Sequence, residues 1–147
     1  MLATGLATQP MWLSKAGAAQ TSCVPTAEDA EGPFYKAGAP ERSAIGRGLV
    51  IAGTVRAADT CAPVPGARIE WWQANPRGTY DDAHRAIQTA DAEGRYRFET
   101  SPPPAYAGRP AHVHVKVLAP GRRPLTTQIY PQAGRAAIAF DFVLPAP

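Results

Sequence analysis

From Gly48 onward, hydrophobic residues occur in short runs in which apolar and polar positions alternate. Five such runs follow one another along the chain: GLVIAGTVRA, RIEWWQA, GRYRFET, HVHVKVL and AIAFDFVL. In GRYRFET, Tyr96 and Phe98 share one face of an extended strand, while the flanking arginines point to the other. Turn signals such as APVPG, NPRG, DAEG and APGRRP separate the runs. The pattern predicts an all-β fold, an antiparallel β-sandwich with long loops and little helix.

Length and composition fit one domain of this kind. The chain has 147 residues, of which 45% are hydrophobic and 18% charged, too apolar a composition for a disordered protein. Its 16 prolines and 13 glycines interrupt the chain every few residues and disfavour long helices. Residues 23–147 are therefore expected to form a single β-sandwich domain. No run of about 18 apolar residues offers a membrane span.

The positive charge is too dispersed for a nucleic-acid surface. The formal net charge is +3, and the longest basic run is Arg122–Arg123. Partners among nucleic acids or membranes are therefore not expected. A short chain with an exposed sandwich face could pair with itself or with another subunit.

The first 22 residues allow two interpretations. They carry a single charged residue, Lys15, and the stretch KAGAAQ is typical of what precedes a signal-peptidase cut. However, a basic n-region is missing, and Pro10 and Lys15 interrupt the apolar run. The segment is either a flexible arm, which leaves a cytoplasmic protein open, or the remnant of an export signal. The second interpretation predicts a periplasmic or extracellular protein.

Cys23 and Cys61 are the whole thiol complement. They form no CxxC motif and cannot build a cysteine-rich zinc site. They are either two inert thiols or one bridge between the N-terminal arm and the body of the domain. We expect the bridge, because the arm from Thr21 to Tyr35 has few apolar residues with which to dock by burial. A bridge would favour export.

The run GRPAHVHVKV carries the clearest chemical signal. Residues two apart in a strand point to the same face, so His112 and His114 lie together, with valines on the opposite face. Two imidazoles a few ångströms apart form a geometry suited to a metal. The alternative is a polar solvent face shared with Lys116.

The remaining donors bear on which metal would bind. His84 is the third and last histidine, too few for a copper–zinc site built from many imidazoles, and a hydrolytic zinc would need a further ligand. Tyr80 and Tyr106 lie in Pro- and Gly-rich loops. Two phenolates with two imidazoles suit ferric iron better than zinc. A cation of high charge can deprotonate tyrosines, whose ordinary pKa is about 10.

These residues resemble the intradiol ring-cleavage dioxygenases, the family of protocatechuate 3,4-dioxygenase and catechol 1,2-dioxygenase. The matching pieces are EGPFY, PVPGARIEWWQANPRGTYD, TADAEGRYRFET, YAGRPAHVH and PLTTQIY, and they lie within Cys23 to Leu144. The resemblance implies a transthyretin-like, or prealbumin-like, β-sandwich. The arm with its two cysteines is similar to exported bacterial members.

The resemblance also implies a ferric iron, Fe(III), bound by four side chains. Tyr80 would be the equatorial tyrosinate and Tyr106 the axial one that leaves when substrate binds. His112 would be the equatorial imidazole and His114 the axial one.

Three further residues are implied beside the metal. Arg109 and Gln128 would bind substrate and act in catalysis, and Trp72 would be an aromatic side chain near the substrate. The implied activity is that of an oxidoreductase that inserts both atoms of O₂ into a catechol-type ring and forms a muconic-acid-type product. After Tyr130, only PQAGRAA precedes the last predicted strand, so one wall of the substrate pocket is expected to be short.

A non-enzymatic alternative uses the same scaffold. The run GTVRAADTCAPVPGARIEWW also resembles transthyretin-type or carboxypeptidase-regulatory-type modules, which bind partners without catalysis. That resemblance accounts for Gly53, Pro65, Gly66 and Gly94. It gives no reason for two tyrosines, an arginine and two histidines in the pattern described above.

Overall fold

A computed structural model describes residues 23–147, and the predicted arm or export remnant at 1–22 lies outside the described residues. The described part contains eight strands and one short 3₁₀ helix at Asp82–His84. The strands are β1 Leu49–Ala57, β2 Arg68–Gln73, β3 Arg85–Thr89, β4 Arg95–Thr100, β5 Val113–Leu118, β6 Leu125–Ile129, β7 Ala137–Ala139 and β8 Phe142–Leu144. The predicted all-β sandwich is confirmed.

The strands form two sheets. One has the order β3-β2-β5-β6 and is antiparallel throughout. The other has the order β4-β1-β7, with β8 also paired to β1. In this second sheet β4 is antiparallel to β1, whereas β7 and β8 run parallel to it. One of the two sheets therefore contains both parallel and antiparallel pairs, which the prediction of an antiparallel sandwich did not include.

The run AIAFDFVL, predicted as one strand, is two strands separated at Phe140 and Asp141. The Asp141 carboxylate accepts a hydrogen bond from the Thr54 backbone N–H at 2.8 Å. The Phe140 backbone lies directly against Gly53, where a Cβ atom would clash. At this position the Asp141 side chain takes the place of a backbone carbonyl as the partner of Thr54, and the strand is interrupted.

The core lies between the two sheets and is built from the inward positions of the alternating runs. Trp71 of β2 stacks on Phe98 of β4 with ring centroids 4.2 Å apart and planes 4° apart. The valines that alternate with the histidines are fully buried in this core, as predicted. Burial of each such side chain contributes about 1.5–3 kcal/mol to folding. The opposite face of β5 is left to the functional side chains.

The N-terminal arm, residues 23–48, runs along the edges of the sandwich. Its backbone hydrogen bonds join three edge strands: Asp29 N–H to Thr126 O on β6, Arg42 N–H to Ile87 O on β3, and Ile45 N–H to Glu99 O on β4, at 3.0, 2.9 and 2.9 Å. Covering exposed edges in this way prevents unwanted strand pairing.

A disulfide between Cys23 and Cys61 fixes the start of the arm, with Cα atoms 5.1 Å apart. The predicted bridge is confirmed. Backbone hydrogen bonds support it, because the Cys23 N–H donates to Ala58 O at 2.9 Å and the Thr26 N–H to Val143 O at 3.0 Å. Between residues 23 and 147, no helix is long and apolar enough to cross a membrane.

Candidate metal centre

His112 and His114 lie side by side at the centre of one sheet. His114 belongs to β5, which is flanked by β2 and β6, and His112 precedes the strand directly. Both side chains are buried, with 0% and 2% of their surface exposed. Because Val113 and Val115 face the core, the two imidazoles project from the outer face of the sheet.

Two loops bring tyrosines to the same place. Tyr80 lies on the loop after β2, and Tyr106 on the loop after β4. The Tyr80 Oη and Tyr106 Oη atoms are 2.6 Å apart. The Tyr80 Oη atom lies 3.3 Å from His112 Nε2 and 3.1 Å from His114 Nε2. The structure thus brings together all four predicted ligands.

The four donor atoms fit around a single metal ion. Donors bound about 2.0–2.1 Å from one ion lie about 2.8–3.4 Å from their neighbours. The two Nε2 atoms are 3.1 Å apart, and Tyr106 Oη is 3.3 Å from His112 Nε2. Only the tyrosine–tyrosine distance is shorter, and it is a hydroxyl–hydroxyl hydrogen bond that deprotonation of both phenols would remove.

The tautomer of His112 also suits a metal. Its Nδ1 atom donates a hydrogen bond to the Pro110 carbonyl at 2.8 Å, so the lone pair is on Nε2, which faces the other donors. Burial lowers the pKa of His112. Burial, with the neighbouring His112, lowers the pKa of His114 to about 4. Both imidazoles are therefore neutral and able to coordinate at pH 7.

The two tyrosines can bind only a cation that carries enough charge to deprotonate them. Burial and the hydroxyl of Tyr106 raise the pKa of Tyr80 above its usual value. Without a cation, this phenol keeps its proton, so coordination as a phenolate requires a strongly charged ion. In the described part of the chain, no three His, Cys, Asp or Glu side chains cluster for a metal. The two tyrosines are therefore indispensable to a metal centre here.

The turn that carries Tyr106 also presents Arg109. Tyr106 and Arg109 pair across it, with the Arg109 N–H donating to the Tyr106 carbonyl at 2.8 Å. Both central residues have positive φ, 49° at Ala107 and 76° at Gly108. This φ pattern matches a tight hairpin turn, and it is strained at an alanine. The turn directs the arginine toward the ligands.

Arg109 and Gln128 are joined in a hydrogen-bond network beside the ligands. The Arg109 Nη2 atom donates to Gln128 Oε1 at 2.8 Å, and Gln128 Nε2 donates to the Ala30 carbonyl at 2.7 Å. Tyr130 donates to Asp29 Oδ2 at 2.6 Å and lies 3.3 Å from Arg109 Nη2. The network fixes the guanidinium at the edge of the donor cluster.

Trp72 lies behind the ligands. It is 2% exposed and stacks on the His114 ring, with centroids 4.9 Å apart and planes 3° apart. Its packing supports the orientation of a ligand. Its predicted contact with substrate stays a prediction.

Several residues of this site had no predicted role. Phe34 stacks on Tyr80 with centroids 4.4 Å apart, and Gly32 lies over the edge of His114. Asp29 and Tyr130 complete the network around Arg109. The EGPFY and QIY motifs were the available signals, because both lie in the matching segments without an assigned function.

Comparison with known proteins agrees with this geometry. Residues 24–146 match the family model described as Dioxygenase. Chlorocatechol 1,2-dioxygenase from a Pseudomonas species is 33% identical over 78% of this chain and 62% of its own length. Catechol 1,2-dioxygenase from Acinetobacter baylyi is 35% identical over 67% and 44%, respectively. The chain thus spans only 44–62% of the length of these two relatives.

A solved structure is similar over nearly the whole described fold. The dioxygenase domain of a dioxygenase–carbohydrate-binding fusion from Streptomyces sp. SirexAA-E superposes with a TM-score of 0.75 and is 33% identical. The match covers 84% of this chain and all of that one. A β-sandwich that carries two half-buried tyrosines beside two buried histidines fits this class of protein. The chain belongs to the intradiol ring-cleavage dioxygenase family.

Proposed function

We propose that this chain is an iron(III)-dependent intradiol dioxygenase that inserts both atoms of O₂ into a catechol-type ring. The product is a muconic-acid-type diacid. The observation that carries the proposal is the convergence of two phenol oxygens and two imidazole nitrogens, 2.6–3.3 Å apart, beside an arginine. A partner-binding module without catalysis would need none of these five side chains in this arrangement.

Tyr80, Tyr106, His112 and His114 would hold the ferric ion. Bound there, iron would act as a Lewis acid that withdraws electron density from a bound catecholate and makes its ring reactive toward O₂. Two phenolates match its charge, since hard anionic oxygens favour Fe³⁺ over softer ions.

Tyr106 is the ligand best placed to accept a proton from the substrate. Its loop is exposed at Ala107 and Gly108, whereas Tyr80 is covered by Phe34. A Tyr106 Oη atom that takes up a substrate hydroxyl proton leaves room for the catecholate oxygen. The second ligand tyrosine stays in place, since the ring stacked on it restricts its movement.

Arg109 would stabilise negative charge that develops on the substrate. Its guanidinium is held by Gln128 and Tyr130 and needs no rearrangement during the reaction, the condition under which electrostatic stabilisation is strongest. Gln128 is 5% exposed and donates to the Ala30 carbonyl, so it links the position of the arginine to the docked arm.

The test combines colour with oxygen uptake. Iron-loaded protein should be wine-red from tyrosinate-to-iron charge transfer and should consume O₂ with catechol, and labelled O₂ should deliver two heavy oxygens to one product molecule. His112→Ala should lose most of the iron and the colour. A colourless iron-loaded wild type, or a single heavy oxygen in the product, would refute the proposal.

We also propose that the protein is exported. The support is the disulfide, since such bridges persist in oxidising compartments. Two free thiols in protein taken from its native host would refute export and leave the dioxygenase proposal untouched.

A further inference from the structure

A groove of about 410 Å³ opens beside the candidate metal centre. Its walls are Tyr130, Gln132 and Arg135, together with strand β7. It exists because only a short segment joins Tyr130 to β7, and this segment folds back through a hydrogen bond from the Arg135 N–H to the Gln132 carbonyl at 3.1 Å. The segment that the sequence marks as short thus borders an open surface groove in the structure.

Tyr130 connects this groove to the site. Its ring lines the groove and lies 6.3 Å from the His112 ring, centroid to centroid. Its hydroxyl is 3.0 Å from Gln128 Oε1 and 3.3 Å from Arg109 Nη2. A substituent that extends past the tyrosine, from a ring bound beside these two residues, would therefore enter the groove.

The charges along this path have a definite order. At the inner end, the Asp29 carboxylate accepts a hydrogen bond from the Tyr130 hydroxyl. At the outer end, Arg135 is exposed, and among the described residues its guanidinium has no acidic partner. No carboxylate of the described chain lines the groove. Next to Tyr130 the charges of Arg109 and Asp29 largely offset each other, whereas beyond it Arg135 offers an attractive positive charge.

We propose that the groove is a subsite for the side chain of the substrate, and that it selects catechols carrying an anionic group on a flexible chain of a few carbons. Such a chain carries its carboxylate past Asp29 to Arg135. A carboxylate attached directly to the ring stays next to Tyr130 and gains nothing from Arg135. This inference rests on the dioxygenase function proposed above.

Three substrates separate charge from size. They are catechol, 3-(3,4-dihydroxyphenyl)propanoate and the neutral alcohol of the same length, 3-(3,4-dihydroxyphenyl)propan-1-ol. For the iron-loaded wild type, KM should be lower for the propanoate than for the alcohol. Arg135→Gln should raise the KM of the propanoate about five-fold, the upper range for an exposed ion pair, with kcat unchanged. The alcohol and catechol should show no change.

Arg47→Gln is the matched control, because Arg47 is an exposed arginine outside the groove. It should leave all three substrates unaffected. Arg135→Glu should raise the KM of the propanoate more than Arg135→Gln does. The subsite is refuted if Arg135→Gln changes the acid and the alcohol equally, or changes neither.

A binding experiment separates this inference from the proposed activity. Under nitrogen, the propanoate and the alcohol are titrated into iron-loaded protein while the visible band is followed. A ratio of their Kd values that moves toward one in Arg135→Gln supports the subsite even without turnover. If catechol is cleaved normally but that ratio does not move, the subsite alone is wrong. Failure of catechol cleavage in wild type refutes the proposed function instead.

Discussion

Tyr106 is held differently from the other candidate ligands. It lies on a strained turn and is partly exposed, whereas His112 and His114 are fixed in or beside a central strand. The proposed role of Tyr106, a ligand that leaves and returns, fits a place on such a turn. The site therefore combines three donors held by a strand or a stacked ring with one on an exposed turn.

Tyr106→Phe should retain iron but shift the visible band and slow the reaction about 100-fold, because the phenolate that accepts a substrate proton is lost. Stopped-flow absorbance with catechol measures both effects. Tyr35→Phe is the control, since the hydroxyl of Tyr35 contacts Glu70 rather than the donor cluster. Unchanged colour together with unchanged rate would remove Tyr106 from the ligand set.

Arg109→Lys should give a red but nearly inactive protein. Lysine keeps the positive charge but loses the planar guanidinium that spans Gln128 and Tyr130. A loss in kcat on the order of 100-fold or more, with a smaller change in KM, is expected for a group that acts on developing charge. Steady-state kinetics test this, with Arg77→Lys as the exposed control. If Arg109→Lys had the kcat of the wild type, the role of Arg109 would be structural only.

The metal-free protein should lose stability as the pH falls from about 6.5 to about 4. In this window the unfolded chain protonates an ordinary histidine, whereas burial keeps the pKa of His114 near 4 in the folded state. Unfolding then takes up a proton, so the free energy of unfolding falls by up to about 1.4 kcal/mol per pH unit for this group. Thermal melts across the window measure the slope. His114→Asn should reduce the slope to the part that His112 contributes, and an unchanged slope would contradict the assignment.

At the residue scale, the sequence predicted which four donor side chains lie together but not all of their neighbours. The H-x-H pair follows from strand alternation alone, and the two tyrosines from the ferric donor set and the family resemblance. The particular contacts of Asp29 and Phe34 could not be predicted, because each is made with a residue far away in the chain, Tyr130 and Tyr80, respectively. Such contacts depend on where a loop docks.

At the scale of elements, the loop from Asn75 to Asp81 is held by the hydrogen bonds of one side chain. Asn75 is 8% exposed, and its side chain accepts from the Thr79 N–H at 3.1 Å and donates to Asp81 Oδ2 at 2.9 Å. Gly78 has a φ of 77° and packs against Tyr106. One buried amide thus shapes the loop that carries Tyr80.

Asn75→Ala should lower the free energy of unfolding by about 1–3 kcal/mol, because buried polar groups lose their partner. It should also broaden the visible band of the iron-loaded protein, since Tyr80 becomes less fixed. Denaturant titration and absorbance spectra measure the two effects. Arg77→Ala, an exposed change in the same loop, should produce neither. A stability loss with an unaltered spectrum would show that Asn75 supports the fold but does not position Tyr80.

The strands show where alternation suffices for prediction and where it does not. The faces of β4 and β5 are as predicted, since burial against a core fixes them. The parallel pairing of β7 and β8 with β1 could not be predicted, since pairing direction depends on the connection. The break at Asp141 likewise depends on a partner in another strand, Thr54.

At the scale of the whole molecule, the disulfide joins the arm to the sandwich across 38 positions. Replacing both cysteines by serine should lower the free energy of unfolding by roughly 3–4 kcal/mol in the chain-entropy description. It should also expose the arm to proteolysis. Chemical denaturation with and without reductant measures this, because the reductant should destabilise the wild type and leave the double variant unchanged. Equal stability of the two proteins would show that the backbone hydrogen bonds alone hold the arm.

The docked arm also sets the order in which the protein can become functional during synthesis. The arm leaves the ribosome early, but Thr26 accepts a hydrogen bond from the Val143 N–H, 117 positions later. Asp29 likewise pairs with Thr126 and Tyr130. Contacts so distant in sequence form slowly and only after their partners have been translated. Gln128 and the residues around Arg109 therefore assemble only once strand β8 is available to hold the arm, so the complete site cannot form in a partly synthesised sandwich.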